Sequence, residues 1–323
     1  MTCNKTRREV IPLDSHVEMA FREIPAGRFR MGSRGHWARE EPVHVVEITA
    51  PFWLGETPVT QEQFAVWAKA ERVEHGNGFP GRPDHPAETM TWRQAMRFCA
   101  WLTRTADVEA IVGGGGLACL PTEAEWEYAC RAGTDTEYHT GDGEAALAEA
   151  GWYVGNAGDG TRPVGRKQAN GFCLFDMHGN VWEWCHAAWD GGAYRARLDA
   201  VFDPGAAERL QDWSRGFDAL ERDDRSRVRR GGSWDDDAGD CRSASRFRRR
   251  PGDRYWDSGF RVCLVRGPAA VGRGARNGED AARRPGDGGR GTSPESDGAR
   301  AATGGVDLSV ARLPRAGERG EQQ

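Results

Sequence analysis

Between residues 19 and 266 the chain reads as short strands, few helices and many loops, with most apolar bursts separated by glycine- and proline-rich turns. No stretch sustains the three-to-four spacing of a long helix or the continuous apolar run of a buried parallel strand. With 43 glycines and 13 tryptophans among 323 residues, the core has to be built from aromatic rings held by loops. The pattern predicts an α+β domain with low regular secondary structure. Its buried loop backbone then needs side chains, water or ions as hydrogen-bond partners.

Local signals place the few elements. FREIPAGRFRMG has the alternation and punctuation of a β-hairpin, and VHVVEITAPFWLGETPVT reads as an alternating strand followed by a turn. Thr60 caps the helix QEQFAVWAKA, with Gln63 completing a capping box and Phe64, Trp67 and Ala68 on one face. A second helix covers roughly 92–102, where Ala95, Phe98, Cys99 and Leu102 recur at helical spacing. In LPTEAEWEYACRAG, Thr122 and Glu125 form another capping box, Trp126 and Ala129 or Cys130 face inward, and Gly133 ends the helix.

Residues 1–18 read as a lead-in, and 267–323 as a Gly/Arg/Ala/Pro-rich tail too poor in apolar residues to offset its ordering entropy. LSVARL at 308–313 is a short apolar patch within that tail. No run approaches the roughly 20 apolar residues of a membrane span, and the N-terminus has no signal-like apolar stretch. A cytoplasmic protein with no membrane partner is therefore expected. A net charge of -5 excludes the global basic field of nonspecific nucleic-acid binding. The 8 cysteines form no Cys-x-x-Cys pair and no zinc-spaced Cys/His cluster, and in a reducing cytosol they read as buried thiols.

Successive blocks, IPAGRFRMGS, HPAETMTWRQAMRFCAWL, LPTEAEWEYACRAG, FDMHGNVWEWC and RRGGSW followed by CRSASR and GFRVC, resemble the ordered signatures of the formylglycine-generating, sulfatase-modifying proteins. The resemblance implies that family's fold, a C-type lectin-like variant. It also implies an oxidase in which paired thiolates bind copper(I), activate oxygen and convert a substrate cysteine to formylglycine. In the family the Gly-Gly-Ser-aromatic block is followed two residues later by the first cysteine and five beyond that by the second. Here the aromatic is Trp234 and the first position is Asp236. Counting forward places Cys241 at the second position; counting back from Pro251 and Gly259 needs a shorter loop and places it elsewhere. A hard aspartate oxygen does not replace a soft thiolate at copper(I). The expectation is that copper is not a cofactor, and that Cys241 is catalytic only if oxidase activity is retained.

DMHGNVWE matches the family's calcium loop, which implies carboxylates from Asp176 and Glu183 and carbonyls from Gly179 and Val181, with Asn156 a candidate for a second calcium. The alternative is a tight turn at Gly179-Asn180 with Trp182 and Trp184 flanking the core. The resemblance also gives Cys99 and Cys130 partners near CRSA and GFR, with Cys241 and Cys263 the candidates, as reduced pairs. His178 and His186 read as exposed or backbone-bonded histidines.

The run SRFRRRPGDRYWDS interleaves aromatic rings with guanidiniums, the composition of recognition surfaces. It resembles the mutable pocket that variable proteins of diversity-generating retroelements display on the same lectin-like fold. The expected ligand-binding residues are Trp234, Asp235, Asp236, Asp237, Asp240, Ser245, Phe247, Arg249, Tyr255, Trp256 and Asp257, facing an unknown protein or small-molecule ligand. The rival class is a divergent oxidase or metal-dependent enzyme. Iron would want two histidines and a carboxylate, and the sequence offers no such local triad.

Overall fold

The structure, a computed structural model, describes residues 6–196, 203, 206, 209–212 and 220–267. The tail beyond Gly267, including its apolar patch, lies outside the described residues. The chain opens with strands β1 (Arg8–Pro12), β2 (Glu18–Ile24), β3 (Gly27–Met31), β4 (His44–Ile48) and β5 (Phe52–Gly55). Helices α1 (Gln61–Glu71), α2 (Trp92–Thr105) and α3 (Val108–Val112) lead to β6 (Gly116–Cys119), and α4 (Glu123–Arg131) and α5 (Gly143–Ala150) to a long loop. Strands β7 (Trp182–Ala188), β8 (Arg227–Arg230), β9 (Arg246–Arg249), β10 (Ser258–Phe260) and β11 (Cys263–Arg266) follow.

One sheet has the order β1-β2-β5-β11-β6, a second β10-β7-β8-β9, and β3 pairs with β4 alone. In the first sheet every pairing is antiparallel. The first and last strands therefore share a sheet and run in opposite directions. This corrects two expectations. The lead-in is no separate segment, because Arg8–Pro12 is an edge strand in register with β2 and Ile11 is buried in the core. The hairpin expected in FREIPAGRFRMG does not form either. Both sides of β2 are taken by β1 and β5, so after Pro25-Ala26 the chain leaves that sheet and β3 pairs with β4.

The helix starts follow their local chemistry. Thr60, Thr91 and Thr122 each accept the backbone N–H of the third helical residue, whose Gln63, Gln94 or Glu125 side chain accepts the cap N–H in return. At the end of α4, Ala132 turns left-handed at φ 47° and Gly133 continues at φ 94°, a conformation in which glycine carries no Cβ penalty. The alternation in β4 also holds, with His44, Val46 and Ile48 inside and Val45 exposed.

The core divides into an aromatic cluster of Trp67, Trp92, Phe98, Trp184 and Phe260, and a second around Trp126, Met177, Cys185 and Val228. Buried arginine–carboxylate pairs tie separate segments together, Arg230 of β8 with Glu127 and Arg246 of β9 with Glu123 of α4 at 2.6 Å, and Arg242 with Glu40 at 2.9 Å, while Arg131 pairs with Glu127 at 2.8 Å within α4. Such pairs contribute little net stability over apolar packing, but breaking one strands a buried charge at a cost of about 3–5 kcal/mol. The pairs between segments fix which segment lies against which.

Candidate functional site

The site is built on β8 and β9, whose register sets Arg229 opposite Phe247 and Arg227 opposite Arg249. Arg229 is 1% exposed. Its guanidinium carbon lies 5.2 Å from the Trp182 ring centroid and 5.7 Å from that of Phe247. The guanidinium donates to Asp257 Oδ1 at 3.1 Å and to the Ser258 hydroxyl, which itself donates to Asp257 at 2.6 Å. Arg249 stacks over Tyr255 at 4.3 Å and over Phe247 at 5.5 Å. The Trp182 indole N–H donates to Asp236 Oδ2 at 2.8 Å. Burial pushes the Asp236 carboxyl up to about 6; the Ser233 hydroxyl and Arg229 oppose the rise, while Asp257 and Asp240 add to it.

Asp236, Phe247, Arg249, Tyr255 and Asp257 are thus brought together, around Arg229 and Trp182. Trp234 lies edge-on to Phe79 at 5.4 Å and donates to the Trp256 carbonyl at 3.4 Å, while Trp256 remains 39% exposed. Asp235 and Asp237 are exposed and Asp240 is half-buried. Ser245 corrects the expectation. It is fully buried at the entry to β9, where its carbonyl accepts from Arg230, and it does not reach a ligand surface.

Other residues belong here that the sequence reading passed over. Arg39 lies between Trp37, at 4.7 Å, and Phe247, at 5.6 Å, and Trp37 is 49% exposed. Trp37 sits in the polar run SRGHWAREE and Phe79 in the turn-rich NGFPGRP. A large ring with no apolar neighbours in sequence was the available signal.

At the family's cysteine positions, Asp236 and Cys241 meet through Ser233, whose hydroxyl donates to Asp236 and whose carbonyl accepts the Cys241 thiol at 3.9 Å. Cys241 is fully buried, and burial pushes its thiol well above the ordinary cysteine range. The thiolate needed for metal binding is therefore disfavoured. Next to it, His178 Nδ1 is 2.8 Å from the Cys241 carbonyl and Nε2 is 3.6 Å from Cys130 Sγ. Burial depresses His178 to about 3 and His139, stacked on it at 5.1 Å, to about 4. Neither His178 nor His186 is exposed, and His186 pairs with Asp212 at 3.1 Å. The implied cysteine partners also differ, since the β11–β6 register sets Cys263 opposite Cys119. Every cysteine among the described residues is buried and in no disulfide.

Residues 14–266 match the sulfatase-modifying factor enzyme 1-like domain. The chain belongs to that family. It is 33% identical to the formylglycine-generating enzyme of Mycobacterium tuberculosis over 215 residues, which cover 50% of this chain and 72% of that one. It is 30% identical over 278 residues to the serine/threonine-protein kinase pkn1 of Chlamydia caviae, covering 79% of this chain but only 39% of that protein. Among solved structures it is similar to Treponema denticola variable protein 1, with TM-score 0.61, 25% identity and coverage of 80% of this chain and 99% of that one. PvdO from Pseudomonas aeruginosa matches with TM-score 0.62, 26% identity and coverage of 80% and 98%. The fold is therefore the lectin-like one of the formylglycine-generating proteins.

In this sulfatase-modifying factor domain the loop matching the calcium signature is occupied by protein donors. Asp176, 2% exposed, accepts the Gly165 N–H at 2.7 Å and the Asn180 amide at 3.4 Å, and burial pushes it up to about 6. Both oxygens of Glu183 are bound by Arg261, and the Trp126 indole donates to Oε2 at 2.7 Å. The Gly179 carbonyl accepts the Val181 N–H at 2.9 Å. Gly179 has φ +75°, and a Cβ there would stand 2.0 Å from the Trp152 carbonyl oxygen, so the turn demands glycine. Asn156 is spent on its own turn, accepting from Tyr153 N and donating to the Gly151 carbonyl, both at 3.0 Å. As arranged, this donor set does not fit calcium. Among the described residues no group of three or more His, Cys, Asp or Glu is placed to hold a metal.

Proposed function

We propose that this domain is a cytoplasmic ligand-binding module of the lectin-like type that has lost the family's cysteine-to-formylglycine reaction. The observation that carries the reading is the array in which Arg39, Arg229 and Arg249 alternate with Trp37, Phe247 and Tyr255 beside Asp236 and Asp257. The Arg39 and Arg249 guanidiniums, already stacked on rings, lose little rotamer freedom when a ligand arrives and present both area and directed donors, while Arg229, buried beneath them, holds Asp257 in place. The ligand is a protein or a small molecule. Asp236 at the first cysteine position and the buried Cys241 support loss of the oxidase step. The likeness to Treponema denticola variable protein 1 supports a displayed pocket of the retroelement type.

The neighbouring DNA tests this reading. A near-duplicate of the codons for about residues 230–260, differing only at adenines and lying beside a reverse transcriptase, is the expected finding. The similarity to the Mycobacterium tuberculosis enzyme favours a second reading, a divergent oxidase. Absence of the duplicate together with aldehyde formation on a cysteine peptide would replace the first reading with the second.

A further inference from the structure

We propose that the guanidinium of Arg261 is the resident cation of the 176–183 loop, so that this domain folds without the calcium ion that its family resemblance implies. Arg261 is fully buried. Its Nε donates to both Glu183 oxygens at 3.1 and 3.2 Å, and Nη2 donates to Oε1 at 2.8 Å. Nη1 donates to the Gly55 carbonyl and Nη2 to the Phe175 carbonyl, each at 2.7 Å. A carboxylate and two main-chain carbonyls are the hard oxygen set that a calcium ion collects. Here the planar fork of one side chain collects such a set, taking Glu183 from the signature and the Gly55 and Phe175 carbonyls from beside it.

The charge arithmetic points the same way. One guanidinium against one carboxylate leaves the buried pair neutral. A divalent ion at Glu183 would meet that guanidinium as a like charge in a poorly screened interior, and would have to displace donors to find lone pairs. Of the signature's other oxygens, Asp176 accepts from Gly165 and Asn180, and the Gly179 carbonyl accepts from Val181. The position of the cation also matters. Gly55 belongs to β5 in the five-stranded sheet and Glu183 to β7 in the four-stranded one, so Arg261 ties the two sheets together with a charge the chain carries covalently.

The test uses the full chain, dialysed against chelator and then melted in excess chelator or in millimolar calcium, with bound metal measured by elemental mass spectrometry. The melting midpoint is expected to be the same in both, and the calcium content far below one ion per chain. Arg261→Met should lower the midpoint. Arg261→Met with Glu183→Gln should recover part of the loss, because the orphaned buried charge is gone. Arg261→Lys should fall between, since one ammonium cannot span the carboxylate and both carbonyls. If Arg261→Met does not fold, the wild-type comparison decides alone. Stoichiometric calcium in the wild type, with a calcium-dependent rise in midpoint that disappears in Asp176→Asn, overturns the proposal.

Discussion

The indole N–H of Trp182 holds the Asp236 carboxylate at 2.8 Å, and this contact joins β7 to the loop that follows Gly-Gly-Ser-Trp. The same carboxylate lies where the family's first thiolate would be, so its protonation is the site's nearest titration to neutrality.

Asp236→Asn keeps an acceptor for Trp182 and removes that titration. A carboxyl held at about 6 in the folded chain, against roughly 4 when unfolded, contributes stability that is fully present below pH ~4 and is lost as pH rises through 6. The wild type should therefore fare better relative to the variant at pH 4 than at pH 8, by up to ~2 kcal/mol. Urea unfolding at the two pH values measures this. A pH-independent difference would mean that Asp236 titrates normally.

His178 should act in the opposite direction. Its folded value of about 3 lies below the unfolded ~6.5, so its contribution is present above pH ~6.5 and is lost as pH falls toward 3. Between pH 7 and 5 the wild type should lose about 2 kcal/mol more than His178→Gln. Parallel pH profiles for the two proteins would show that the imidazole is not held neutral.

Incubation with copper(I) and a peptide containing Cys-x-Pro-x-Arg is expected to give no formylglycine. Asp236 offers no thiolate, and Cys241 is fully buried with its thiol raised. Peptide aldehyde detected by mass over multiple turnovers contradicts this.

The exposed Trp256 ring and the half-buried Tyr255 ring should be dispensable for folding. Trp256→Ala and Tyr255→Ala are expected to change stability by less than ~1 kcal/mol, as surface substitutions do. Trp184→Ala, which empties a fully buried position, should cost about 3–5 kcal/mol. Thermal melts of the three variants separate surface from scaffold, and collapse of the Trp256 variant would make 255–256 part of the scaffold.

What the sequence made legible was local chemistry. The capping boxes at Thr60 and Thr122 span only a few residues and act regardless of their surroundings. The family blocks likewise located Asp236, Phe247, Arg249, Tyr255 and Asp257 near one another. Pairing choices were not legible. The punctuation of FREIPAGRFRMG marks where a strand ends, not which neighbour it takes, and β2 already had two. Arg39 reaches Phe247 from the far end of the chain, a contact that no spacing rule anticipates. Ser245 looked like part of the open segment until the buried Arg230 claimed its carbonyl.

The first sheet alternates direction from β1 through β2 and β5 to β11. The beginning of β1 and the end of β11 therefore emerge at the same margin, about three strand spacings or ~14 Å apart. A fold with that exit geometry can be spliced into a loop of a host protein, or hung from it by short tethers, without bending the host. The whole unit, with the loops it carries, can then be transplanted by one recombination event.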